Sequence, residues 1–107
     1  MNQLLPADLE QFEAKAAEAA ELLKVMGNPH RLMILCRLGA EEQSVGALGA
    51  EMQLSQSALS QHLAVLRSHD LVATRREAQT ILYRIKDPGV VKIIETLASI
   101  YCPELLS

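Results

Sequence analysis

Two short apolar-periodic segments, split by a tight break and followed at once by two alternating strands, constrain this chain most. The first segment, about Val45 to Met52, places Val45, Leu48 and Met52 on one stripe behind a capping Ser44. Gln53-Leu54 interrupts it. Ser55 then caps a second segment running to about Ser68, whose Leu59, Leu63 and Leu66 share one face at i, i+4 and i+7. Leu71 to Arg76 and Ile81 to Ile85 read as strands joined by Glu77-Ala78-Gln79-Thr80, giving a two-stranded hairpin.

The flanks are helical. A helix from about Asp8 to Met26 carries Leu9, Phe12, Ala16, Ala19, Leu23 and Met26, at alternating spacings of three and four. That is a heptad-type seam, suited either to the chain's own core or to a partner helix. Gly27 stops this helix, Asn28 is an N-cap and Pro29 occupies the first helical position. The next helix runs to about Leu38 and ends at Gly39, with Leu32, Leu35, Cys36 and Leu38 as its buried positions. Asp87 caps and Pro88 opens a last helix that holds Val90, Val91, Ile93, Ile94, Leu97 and Ile100 and ends near Cys102-Pro103. The order is ααααββα, a mainly α chain with a winged helix-turn-helix architecture.

Size and composition narrow the function classes. At 107 residues the chain is one domain, residues 1–107, too small to carry a large catalytic cleft easily. Half of it is apolar but only 3% is aromatic, so the core must be aliphatic. No apolar run has the length of a membrane span, and acids at positions 8, 10, 13, 18 and 21 argue against a leader peptide. The expected location is the cytoplasm, where thiols stay reduced. No nucleophile–base pair or phosphate loop appears, so an enzyme is the least favoured class. The net charge of −3 excludes indiscriminate coating of nucleic acid, but the charge is unevenly spread. Residues 1–30 are net −3, whereas residues 55–86 are net +3, so polyanion contact belongs to the second half.

The helix capped by Ser55 is the candidate recognition helix. Gln56, Ser57, Ser60 and Gln61 lie off its apolar face; Gln pairs with adenine through a donor and an acceptor, and Ser contacts bases or phosphates. His62 and Arg67 are candidate backbone contacts. Arg75, Arg76 and Arg84 supply wing cations for phosphates or the minor groove. The same residues equally describe a solvated helix face and a charged hairpin protected from edge pairing. His30, His62 and His69 show no metal-ligand spacing and no cysteine stands close to them in sequence, so no metal or other cofactor is implied.

Cys36 and Cys102 are too few for a disulfide scaffold. Each can be a small buried hydrophobe. If they approach each other, they form a switchable bridge, which needs Cα atoms within about 7 Å when it is direct. Arg31 and Arg37 are expected to lower the Cys36 pKa, and a helix C-terminus to raise that of Cys102, which favours Cys36 but leaves the order of reaction open.

Three stretches carry a family resemblance: Asn28-Pro29-His30-Arg31-Leu32, the run from Leu54 to Arg67 containing Ser57, Ser60, His62 and Leu63, and the wing end Ile81-Leu82-Tyr83-Arg84-Ile85. From about residue 15 to 102 the chain resembles the arsenic-repressor (ArsR/SmtB) family of winged-helix regulators. The resemblance implies a homodimer, joined through its first and last helices, that binds double-stranded operator DNA with paired recognition helices. Ser44 and Gly46 stand where many members place a metal-binding Cys-x-Cys, and the last helix lacks the His of the zinc-binding members. Leu35-Cys36, Ile100-Tyr101-Cys102 and the Glu77–Thr80 turn instead resemble the persulfide-sensing branch (BigR/SqrR/HlyU-like). That resemblance makes Cys36 and Cys102 a sensor pair whose disulfide or polysulfide bridge, formed by reactive sulfur species, weakens operator binding. Asp70 departs from the pattern: it replaces a frequent Gly at a position expected to be left-handed.

The expectation is thus a repressor switched by reactive sulfur. Two alternatives stay open: a regulator of the same fold that responds to peroxide or a metal, and a redox-responsive interaction module.

Overall fold

The structure, a computed structural model, describes residues 6–105. Its elements run α1 (Pro6–Met26), α2 (Pro29–Ala40), β1 (Gln43–Ser44), α3 (Val45–Glu51), α4 (Gln56–Ser68), β2 (Val72–Glu77), β3 (Thr80–Ile85) and α5 (Pro88–Tyr101), then a 3₁₀ turn at Pro103–Leu105. The expected caps form. Asn28 accepts from the N–H groups of His30 and Arg31 at 2.9 and 3.1 Å. Ser44 accepts from Ala47 and Ser55 from Ala58, both at 3.1 Å, and Asp87 from Gly89 at 2.9 Å. Each bond satisfies a donor that the start of a helix otherwise leaves without a partner.

The core is aliphatic, as the composition requires. Leu59, Leu63 and Leu66 of α4 are buried against Ile34, Leu35 and Leu38 of α2, Leu48 of α3, Leu71 and Val72 of the hairpin, and Val90 of α5. Cys36 and Leu32, expected among the buried positions of α2, are half-buried, while Ile34 is fully enclosed.

Three local readings change. Gly39 lies inside α2, with no positive φ, and the helix ends one residue later where Glu41 turns extended. The wing is not two-stranded. Gln43 and Ser44 pair with Tyr83 and Leu82, making a three-stranded antiparallel sheet in the order β1-β3-β2. A two-residue strand is too short to show a period. Glu77 pairs with Thr80, so the turn contracts to Ala78-Gln79, with Ala78 at φ 56°.

Along the α1 seam only Met26 is buried. Leu9, Phe12 and Leu23 are 50%, 53% and 58% exposed, and at the far end of α5 Ile100 and Tyr101 are exposed as well. Among the described residues, no helix is long and apolar enough to cross a membrane.

Candidate nucleic-acid interface and cysteine pair

Helix α4 separates its faces cleanly. With three leucines turned inward, Gln56, Ser57, Ser60, Gln61 and Arg67 are all exposed, at the three- and four-residue spacing of one continuous stripe. Ser60 and Arg67 also line an open groove of about 430 Å³ shared with Tyr83 of the wing. Five expected contact residues therefore lie on one polar helix face. His62 departs from it: it sits half-buried on the flank toward α2, its ring 5.5 Å from that of His30 and tilted by 37°. Burial there holds the His62 pKa below the ordinary imidazole value, with Arg31 and then His30 adding to the effect.

The end of α4 is set by backbone bonds. Leu71 N–H donates to Leu66 O and Asp70 N–H to Arg67 O, both at 3.0 Å. This is a Schellman closure, and it requires a left-handed residue at Asp70, which has φ 60°. The expected left-handed site is present, carried by an aspartate whose carboxylate lies 3.3 Å from Lys86 Nζ. Lys86 therefore pairs with Asp70.

Strand register sorts the wing arginines. Arg75 opposes Leu82, Arg76 opposes Ile81 and Ala73 opposes Arg84. Alternation then puts Arg75 and Arg84 on one face and Arg76 on the other, with Tyr83 and the buried Val72. The side chains of Arg67, Arg76 and Arg84 have no hydrogen bond or ion pair among the described residues. Arg75 does. Its Nε donates to both carboxylate oxygens of Glu42, at 3.0 and 2.9 Å, and its Nη2 donates to Glu42 Oε1 at 2.7 Å and lies 3.0 Å from Glu77 Oε2. The hydrogen bond from Arg75 holds the Glu42 carboxyl below its usual range. Nothing in the sequence singles out Glu42, because its partner lies 33 residues away.

Cys36 and Cys102 are both unpaired and half-buried. Cys36 lies on α2 and Cys102 is the C-cap of α5, and these two helices pack against each other. The expected activation of Cys36 is overturned. Burial pushes its thiol pKa up, and this outweighs the lowering by Arg37. Arg31 is committed elsewhere, donating from Nε to Val25 O at 2.7 Å, and Arg37 pairs with Glu51. His69 caps α4 and places Nε2 3.3 Å from Glu21 of α1. Among the described residues, no three His, Cys, Asp or Glu side chains gather as a metal-ligand set.

A polar-faced α4 following a short helix and a turn, with a three-stranded wing behind it, defines a winged helix-turn-helix DNA-binding protein. A helix-turn-helix domain family matches residues 26–75. The chain is 50% identical over 97 residues to the transcriptional activator HlyU of Vibrio cholerae, covering 91% of this chain and 90% of that one. It superposes on HlyU of Vibrio vulnificus with a TM-score of 0.81 at 54% identity, over 88% of this chain and 98% of that one. For the transcriptional repressor BigR of Xylella fastidiosa the TM-score is 0.83 at 40% identity, covering 87% and 95%. The chain belongs to the ArsR/SmtB family of transcriptional regulators, in the branch that holds HlyU and BigR.

Proposed function

We propose that this regulator is a cytoplasmic homodimeric repressor whose operator affinity is switched by reactive sulfur through Cys36 and Cys102. The observation that carries this reading is the position of the two cysteines. Both are free, they lie on α2 and at the end of α5, and those helices pack together beside exposed apolar residues of α5. A second copy covers Leu9, Phe12 and Leu23 of α1 together with Ile100 and Tyr101, because an apolar stripe of this kind is stabilised by burial. The dimer presents two α4 helices to a near-palindromic operator. Gln56, Ser57, Ser60 and Gln61 enter the major groove, His62 and Arg67 flank it, and Arg76 and Arg84 hold the backbone.

The chemistry balances with an organic persulfide as the oxidant. Burial pushes the Cys36 pKa up and disfavours it as the first nucleophile, so the exchange starts at Cys102. Its thiolate attacks the terminal sulfur of R–S–SH, forming Cys102–S–SH and releasing RS⁻. The Cys36 thiolate then attacks the Cys102 sulfur, expels hydrosulfide and leaves a disulfide. Two thiols are oxidised and one sulfane sulfur is reduced to sulfide. Where Cys102–S–S⁻ attacks a second R–S–SH before closure, it gains one more sulfur, releases RS⁻, and the bridge closes longer by that sulfur. A hundredfold loss of operator affinity requires the bridge to bias the dimer by only about 2.7 kcal/mol.

The test measures binding to a duplex selected from a random library by the reduced protein, before and after an organic persulfide, with intact-mass and peptide analysis. Release of the duplex together with a Cys36–Cys102 crosslink is the expected result. Undiminished binding, or release with both thiols unmodified, overturns the switch.

A further inference from the structure

We infer that Glu42 and Arg75 form a brace that spans the sheet and sets the wing's orientation for DNA, so that Arg75 serves as a positioning residue and not as a phosphate contact. The inference rests on the reading of α4 and the wing as one operator surface.

The geometry is specific. Glu42 directly precedes β1, the edge strand on one side, and Arg75 is on β2, the edge on the other. The bond between them therefore passes over β3, on the face opposite the one that carries Val72 into the core. It is bidentate, with donor–acceptor distances of 2.7 to 3.0 Å, and Glu77 adds a second carboxylate from the same strand. Two of the three guanidinium nitrogens are thus committed to carboxylates. Such fork-shaped pairs fix orientation as well as adding energy.

The hairpin needs this support where the pair occurs. Leu71 and Val72 bury the base of β2, but Arg75, Arg76 and Glu77 are all exposed, so no apolar packing anchors that strand beyond Thr74. β1 contributes only two residues, paired with Tyr83 and Leu82. The ion pair runs diagonally, from Glu42, one residue before the Gln43–Tyr83 pairing, to Arg75 at the level of Leu82, where the short strand stops guiding the hairpin. Arg84, on the same face, also favours the ionised form of Glu42. On this assignment Arg76 and Arg84, which have no ion pair among the described residues, remain the wing's cations for DNA.

The test is a double-mutant cycle with salt titrations, using the library-selected duplex and an unrelated duplex of equal length. E42A and R75A should each weaken binding to the selected duplex about two- to fivefold, the range of an exposed but well-formed ion pair. The double variant should lose no more than either single, and E42R/R75E should recover most of the loss. The slope of log affinity against log salt should stay constant throughout, because no phosphate contact is removed. The inference is overturned if R75A flattens that slope by about one while E42A binds as tightly as wild type or tighter; Arg75 would then be a phosphate ligand and Glu42 its resting partner. If the wild-type protein enriches no duplex, the operator surface itself is refuted, and the brace loses its role with it.

Discussion

The backbone N–H of Leu71 donates to the carbonyl of Leu66 at 3.0 Å, and with the Asp70 N–H bond to Arg67 O it holds Asp70 left-handed at φ 60° between α4 and the wing. Both leucines are buried, so the closure is locked by packing as well as by its hydrogen bond. The aspartate between them carries the conformational strain.

Replacing Asp70 with Gly removes that strain. The expected gain is about 0.5–1 kcal/mol, reduced by a few tenths through loss of the exposed Lys86 pair. Asp70→Val, branched at Cβ, should destabilise instead. Urea midpoints at equal protein concentration check both, since self-association makes stability depend on concentration.

A dimer built on the α1 stripe should be sensitive to charge there. Phe12→Asp combined with Leu23→Asp is expected to yield a folded monomer, because each residue contributes roughly 1.5–3 kcal/mol when buried. Sedimentation equilibrium reports the mass, and far-ultraviolet circular dichroism reports retained helix. A double variant that stays dimeric at micromolar concentration would place the interface elsewhere.

His62 makes stability fall in acid. Its folded pKa is depressed by burial, then by Arg31 and His30, so the unfolded chain binds the proton more readily. Its contribution is therefore intact above the ordinary imidazole value and declines as pH drops through that value toward the lower folded one. His62→Asn should flatten this part of the stability profile, measured as urea midpoints between about pH 5 and 7.5.

The raised pKa of Cys36 should show in its alkylation. In a Cys102→Ser background, iodoacetamide should react with Cys36 more slowly at neutral pH than with the urea-unfolded chain. The rate should still climb above the pH at which an ordinary thiol levels off. Arg37→Gln should slow the neutral reaction further, since Arg37 is the group that lowers this pKa. A faster reaction would refute the electrostatic assignment.

Most of the elements and the polar stripe of α4 were legible in the sequence because their causes are local. Asn28, Ser44, Ser55 and Asp87 each satisfy a donor two or three residues away. The leucines of α4 repeat at the helical period, so Gln56, Ser57, Ser60, Gln61 and Arg67 fall outside whatever the helix packs against. The left-handed turn at Asp70 was expected from the family resemblance, and the structure shows it. What the tertiary structure alone decided depends on residues far apart in the chain. β1 is a strand only because β3 lies beside it, and Arg75 is held by a carboxylate 33 residues away. His62 turned toward His30 instead of the exposed stripe, and Cys36 became less acidic rather than more. The charge of a neighbouring arginine can be read from sequence, but the desolvation that outweighs it is set by how α2 is packed, and packing is a property of the assembled core.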